Sequence, residues 1–361
     1  MKKKLIIYMS KISIGGMEKA LVDLLRLSNI TKKYDVTLYL VYKNCKEYME
    51  LIPKNVDIHL VCKGKWNTLN KYISAIKMII DLLLIKRNSY DISICYTHHH
   101  KILSLLARKT SKNNIVYIHT DLIKSRKEKA LKKLLKKMHF YKFNKIVAVS
   151  NCAKNSIIKL YPNIKDKVTV INNYIDGKEI EKKSEEKIND YKFNGITFIN
   201  IARHVEQHKK ISRIILASKK LIDEGFNFSV ILLGDGEDTE FYKNMIIENK
   251  LENCVKLLGR KNNPYPYLKH SDAFVFSSEY EGYGIVLDEA RILNIPLITT
   301  DVADAKKMID DGYGILCDNS VDGLYNGMKE FLEHGYSIKK KFDYNNFNDK
   351  ITIDTNKILE D

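Results

Sequence analysis

The sequence predicts an α/β protein of two doubly wound, parallel-sheet domains in tandem. Three observations carry that prediction. Short apolar runs of β type alternate with helix-period patterns through the first half of the chain. The pattern pauses in a polar stretch of mixed charge over 172–190 and then begins again. The chain's 361 residues are enough for two domains of ordinary size, each with its own core.

Taken in order, Leu5–Tyr8, Val36–Val41, Ile58–Val61, Ile92–Tyr96, Ile115–His119 and Ile146–Val149 read as strands. Helices are expected near 17–28, 69–86, 101–110, 126–142 and 151–160. The Met-Lys-Lys-Lys start imitates a signal peptide, but the apolar run behind it is too short and no small-residue cleavage site follows, so it is expected to lead into a first strand. Residues 1–172 form the expected first domain, 173–190 a linker and 191–341 the second domain. In the second domain the strands are Ile196–Ile201, Val230–Leu233, Val255–Leu257, Ala273–Phe276 and Leu297–Thr299. A weak helical pattern through Ile351 and Ile358 suggests a closing helix over about 342–361.

A composition of 45% hydrophobic and 29% charged residues is that of a soluble globular protein rather than a disordered one. Six cysteines without C-x-x-C spacing read as reduced thiols in a cytoplasmic protein. The longest apolar stretch, Ile73 to Ile85, is interrupted by Lys77 and Asp81 and cannot cross a bilayer as a single helix. Charge is divided unevenly. Residues 1–175 hold 35 Lys and Arg against 11 Asp and Glu, a net +24, which leaves −7 for residues 176–361 of the total +17. That asymmetry points the first half toward an anionic surface, nucleic acid or membrane. With no recognition motif and no aromatic stacking platform, nucleic acid is the weaker of the two.

The chemistry concentrates between Ser277 and Thr300. Ala273–Phe276 is suited to a buried parallel strand, Gly282 and Gly284 allow a tight turn, and a helix is expected from Ile285, with Asn294 as a left-handed stop before Pro296. Glu281 then stands before a helix amino terminus and Glu289 about one turn inside it. Taken at random, two glutamates are solvated surface charges. Here they flank unpaired backbone N–H groups at the carboxyl end of a parallel strand, where open α/β sheets bind ligands. N–H groups hold phosphate and carboxylates accept from sugar hydroxyls, and a nucleotide-sugar supplies both.

Glu281-Gly282-Tyr283-Gly284 with Glu289 resembles the signature of the retaining GT-B glycosyltransferases of family 4, two glutamates seven residues apart around an EG-x-G loop. The resemblance covers nearly the whole chain. It implies two Rossmann-like domains facing across a cleft, the first for the acceptor and the second for the donor, with the final helix returning to the first. It further implies that Gly15-Gly16 followed by Glu18 faces the donor, that His119 points at the donor sugar or the acceptor, and that Arg203 with Lys209 or Lys210 binds the diphosphate. Gly259-Arg260 then meets the nucleotide base, Glu281 the transferred sugar and Glu289 the ribose. Ala202 replaces the family's usual glycine before the arginine, and Asp301–Lys307 replaces what is often a glycine pair and a glutamate, so the donor sugar cannot be copied from a relative. Gly234-Asp235-Gly236 reads as a structural turn. His98-His99-His100 imitates a metal site, but adjacent residues cannot converge on one ion.

The expected activity is transfer of a sugar, with retention, from a nucleotide diphosphate sugar to a hydroxyl of a lipid-linked or cell-surface polysaccharide or teichoic acid precursor. No cofactor is expected beyond the donor substrate and no metal, because no D-x-D motif follows a strand and basic residues can take its place. A nucleotide-sugar epimerase, or a non-catalytic partner of another glycosyltransferase, would share the architecture. Residues 124–142 hold nine Lys or Arg and only Glu128 as acid, beside an apolar stripe of Ala130, Leu131, Leu134, Leu135, Met138 and Tyr141. Taken alone, such a helix docks equally well on its own sheet with a solvated outer face. The +24 of the first half shifts the balance, and peripheral, reversible attachment to the inner face of the cell membrane through this helix is expected.

Overall fold

The protein was analysed as a computed structural model that describes residues 2–360; Met1 and Asp361, the outermost residues of the expected first domain and closing helix, lie outside the described residues. The chain divides into two compact units, one running through Ile175 and resuming at Asn346, the other Asp176–Asn345.

The first unit contains β1 (Lys3–Ile12), α1 (Gly16–Leu27), α2 (Ile30–Lys33), β2 (Tyr34–Lys43), α3 (Lys46–Glu50), β3 (Asp57–Leu60) and α4 (Thr68–Leu84). It continues with β4 (Ile92–Cys95), α5 (Lys101–Thr110), β5 (Asn113–Ile118), α6 (Glu128–Met138), β6 (Lys145–Ala148), α7 (Asn151–Leu160) and β7 (Val168–Val170). Among the described residues the strands form one parallel sheet in the order β3-β2-β1-β4-β5-β6-β7. The order reverses between β1 and β4, which pair from Leu5 with Ile92 to Tyr8 with Cys95. Strands such as Ile92–Cys95 are buried along their whole length, because helices cover both faces of a parallel sheet.

The second unit runs α8 (Gly177–Ser184), β8 (Thr197–Ile201), α9 (Glu206–Lys209), α10 (Ile211–Asp223), β9 (Ser229–Leu233), α11 (Thr239–Glu248) and β10 (Val255–Gly259). After these come α12 (Tyr265–Lys269), β11 (Ala273–Phe276), α13 (Ile285–Ile292), β12 (Leu297–Thr300), α14 (Ala305–Asp310), β13 (Gly314–Cys317) and α15 (Val321–His334). Its parallel sheet has the order β10-β9-β8-β11-β12-β13, reversing between β8 and β11. The last helix, α16 (Tyr344–Glu360), is tied to the first unit: Asn348 accepts from Ile175 N at 3.2 Å and donates to Ile175 O at 2.8 Å, and Lys145 Nζ donates to Ile358 O at 2.8 Å.

Three expectations need correction. Residues 173–190 are not a bare linker, since α8 forms within them and packs against α12 and α13 of the second unit. Its start is fixed by Asp176, whose Oδ1 accepts from Glu179 N at 3.0 Å. Short edge strands β7 and β13 extend the sheets beyond the expected sets. The apolar stripe of α6 is turned inward: Leu131, Leu134 and Met138 join the core, Leu135 packs against it, and only Ala130 and Tyr141 of that stripe are exposed. What α6 presents outward is basic.

Candidate active site

In the second unit the expected residues gather at the carboxyl ends of β8 and β11, where the strand order reverses. β8 delivers Arg203, which is exposed and whose guanidinium takes no partner among the described residues. Behind it His204 is buried, with Nδ1 2.9 Å from Thr239 Oγ1. Lys209 ends α9. Lys210 then adopts φ +49°, and this left-handed break sends the two lysines apart. Lys209 Nζ pairs with Glu281 Oε1, whereas Lys210 Nζ lies 3.6 Å from Glu206. Of the two, Lys209 is the one beside Glu281.

Glu281 Oε1 also accepts from Ser278 Oγ at 3.0 Å and stands 3.6 Å from His208 Nε2, while Oε2 takes no partner among the described residues. Burial alone would raise its pKa, but Lys209, His208 and Ser278 together outweigh that, and the carboxyl is held below the usual glutamate range. The loop that carries it is clamped from several sides. Arg213 donates to Ser277 O at 3.3 Å, to Asn319 Oδ1 and to Glu279 Oε2 at 2.5 Å. Ser277 Oγ donates to Lys209 O at 2.8 Å, and Tyr280 stacks on His208 at 4.5 Å.

Gly284 takes φ +79°, a conformation that suits glycine, and α13 starts immediately after it. Asn294 ends that segment in the left-handed region at φ +57°. Gly282 and Tyr283 are buried, and Tyr283 donates to Asp288 Oδ2 at 2.6 Å. Glu289 is 8% exposed and accepts from Tyr265 OH at 3.1 Å. Arg260 follows Gly259 at the end of β10 and is exposed without a partner among the described residues. A Cβ on Gly234 would lie 1.8 Å from Ala202 O and one on Gly236 2.2 Å from His204 O, so that turn is held by packing.

The first unit groups its own candidates at the carboxyl ends of β1, β4 and β5. Gly15 is extended, Gly16 opens α1, and a Cβ on Gly15 would meet Glu18 Oε2 at 2.6 Å. Glu18 is buried and accepts from Ser13 Oγ at 2.9 Å. His119 packs against Tyr96 at 4.5 Å and Tyr117 at 5.8 Å, with His98 6.1 Å away, and its Nε2 is buried with no partner. His100 instead caps α5. No group of three or more His, Cys, Asp or Glu among the described residues could hold a metal ion.

Burial pushes the His119 imidazole down to about 3 and His99 to about 4. His119 is therefore neutral at physiological pH and can accept or donate a hydrogen bond without carrying charge. Its ring resonances should stay those of the neutral form from about pH 8 to pH 5; a midpoint near 6.5 in an NMR titration would show that the ring is solvated instead.

Ser278, His208, Arg213, Tyr265 and the Asp288–Arg291 pair that holds Tyr283 were not singled out from sequence. A polar residue in a loop or on a helix carries no positional signal until the fold brings it to a partner.

Two family models match the chain: "Glycosyltransferase Family 4" over residues 14–179 and "Glycosyl transferases group 1" over 178–349. An uncharacterized glycosyltransferase of Methanocaldococcus jannaschii is 31% identical over 260 residues, 68% of this chain and 62% of that protein. The N-acetylgalactosamine-N,N'-diacetylbacillosaminyl-diphospho-undecaprenol 4-alpha-N-acetylgalactosaminyltransferase of Campylobacter jejuni is 23% identical over 92% of this chain and 90% of its own. Among solved structures, Anabaena HepE in complex with UDP and glucose superposes with a TM-score of 0.75, covering 98% of this chain and 99% of that one. At 17% identity that likeness is one of fold.

Proposed function

Since the chain belongs to the family 4 glycosyltransferases of GT-B fold, we propose that it transfers a sugar, with retention, from a nucleotide diphosphate sugar to a hydroxyl of a lipid-linked or cell-surface glycan precursor. The observation that carries the reading is Glu281. It is ionised, fixed by Lys209 and Ser278, and keeps Oε2 available at the start of α13.

In this reading Glu281 Oε2 accepts from a hydroxyl of the transferred sugar, and Glu289 accepts from the ribose. Lys209 spends one donor on Glu281 and retains two for phosphate oxygens, while Arg203 adds a fork-shaped cation and Arg260 lies toward the base. As the bond between the anomeric carbon and the diphosphate breaks, negative charge builds on the leaving oxygen. Arg203, Lys209 and the N–H groups that follow Gly284 stabilise that charge more than they do the intact donor, which is what accelerates the reaction. On the first domain, neutral His119 and the Gly15-Gly16 backbone serve the sugar and the acceptor. An undecaprenyl diphosphate acceptor named for the Campylobacter relative supports a lipid-linked precursor here. We further assign the protein to the cytoplasm, held peripherally at the inner membrane face by the basic side of α6.

Purified protein should hydrolyse or transfer from one of the UDP-, GDP- or TDP-sugars, and that donor should raise the melting temperature in proportion to its affinity. The product should keep the donor's anomeric configuration; inversion would refute retention. Activity should survive excess chelator, because cations of the chain replace a metal. Complete loss restored by manganese or magnesium would overturn the metal-free mechanism.

A further inference from the structure

Helix α4 is the anomaly of the first unit. Only Ser74 and Met78 are buried in it, with Ala75 and Leu82 packed against the core. Its remaining large apolar side chains face outward: eight of them between Leu69 and Leu84, among them Tyr72, Ile76, Ile80 and Leu83, are each 39–76% exposed. At 3.6 residues per turn these eight fall within an arc of about 140°. Apolar side chains exposed singly are ordinary, but a continuous stripe along a helix marks an interaction surface. No helix among the described residues is long and apolar enough to cross a membrane, so the stripe belongs to a helix lying along a surface.

Charge identifies the surface. Residues 63–87 carry six Lys or Arg against Asp81 alone, and Asp81 is turned inward to the Tyr39 hydroxyl. Helix α5 packs against both α4 and α6, and all three contribute to one core on the same side of the sheet. The exposed Lys132, Lys133, Lys136 and Lys137 of α6 therefore share a side with the stripe. Trp66, just before α4, is 39% exposed and stacks on Tyr42, and such aromatic side chains favour the boundary between headgroup and acyl chain. A second copy of this chain would bring the same positive rim against itself, and like charges oppose that pairing.

We propose that α4 lies in the plane of an anionic lipid surface with its apolar stripe sunk at the headgroup–acyl boundary, while the lysines of α6 provide electrostatic approach. This assigns insertion to an element distinct from α6, and it holds whatever sugar the enzyme transfers.

Trp66 is the chain's sole tryptophan, so the full-length protein reports on its own docking. Emission should shift to the blue with phosphatidylcholine vesicles containing phosphatidylglycerol, and phosphatidylcholine brominated on the acyl chain, included in those vesicles, should quench it. Ile76→Ser with Leu83→Ser, at exposed positions, should keep the fold by circular dichroism and weaken vesicle binding by about tenfold or more. Lys132→Glu with Lys136→Glu should weaken binding and its salt dependence while leaving the quenching of the bound fraction unchanged. Binding without quenching, or binding untouched by the α4 substitutions, would overturn the proposal. So would dimers formed without lipid that the α4 substitutions dissolve, since a second copy would then cover the stripe. Donor hydrolysis in the α4 variant keeps the two readings separate: it should match the wild type, and its absence in both proteins would count against the glycosyltransferase reading alone.

Discussion

Glu281→Gln is expected to lower turnover by about 10²–10³-fold, the scale at which removing one electrostatic partner of a transition state is felt. Glutamine keeps the shape and can still accept from Ser278, so the loop held by Arg213 should not move. What disappears is the negative charge that polarises a sugar hydroxyl and holds Lys209 in place. Binding of the nucleoside diphosphate should not weaken, because Lys209 gains a free donor and Arg203 and Arg260 are untouched; the loss therefore belongs to kcat. The carboxyl also has a pH signature. Its pKa is lowered in the folded protein, so the stabilisation it provides is complete above the unfolded glutamate value of about 4.3 and disappears as pH falls through the lower folded value. In the Gln variant that part of the acid destabilisation should be missing. Wild-type turnover in Glu281→Gln would remove the site from this position.

How much of this could be read beforehand depended on whether the signal was local. The loop from Ser277 to Asn294 was legible because two glycines, one proline and helical spacing specify its backbone, and Gly284 and Asn294 do take left-handed conformations. Parallel strands such as Ala273–Phe276 were legible as continuous apolar runs between turns. β7 and β13 were not, since a three- or four-residue edge strand is defined by its neighbour more than by itself. α8 is mostly charged and buries only Gly177, Ile180 and Ser184, so its periodicity is faint. The signal that could have found it was Asp176 followed three residues later by Glu179, the spacing of a capping box. The two amphipathic helices of the first unit show the opposite difficulty. Spacing revealed an apolar stripe on α6 but not which way it faced, and the structure buries that stripe while exposing the one on α4.

The least legible feature lies under the site loop. Asp288 and Arg291, three apart on α13, resemble an ordinary surface pair in sequence, yet both are buried and meet at 2.6 Å. The Arg291 guanidinium lies 3.9 Å from the Phe342 ring centroid and 4.3 Å from that of Tyr313, and Asp288 accepts the Tyr283 hydroxyl, fixing the loop residue between Gly282 and Gly284. Arg291→Ala should cost about 3–5 kcal/mol, because it strands a buried carboxylate and removes two ring contacts. For a unit of this size that is a drop of roughly 6–20 °C in melting temperature. Its pH dependence has a defined sign. Burial raises the Asp288 pKa against the opposing pull of Arg291 and the Tyr283 hydrogen bond. A carboxyl raised on folding favours the fold while protonated, and that contribution fades as pH climbs from the unfolded value of about 3.9 through the folded one. Without Arg291 the folded value moves higher still, so the variant should be less destabilised in mild acid than at neutral pH. Replacing both partners together, Asp288→Leu with Arg291→Met, should recover most of the loss, since a packed apolar pair leaves no charge stranded. Thermal unfolding of the three proteins across pH is the measurement. A cost below about 1 kcal/mol for Arg291→Ala would mean that water reaches the pair, and the loop would then owe its shape to Gly284 and Arg213 alone.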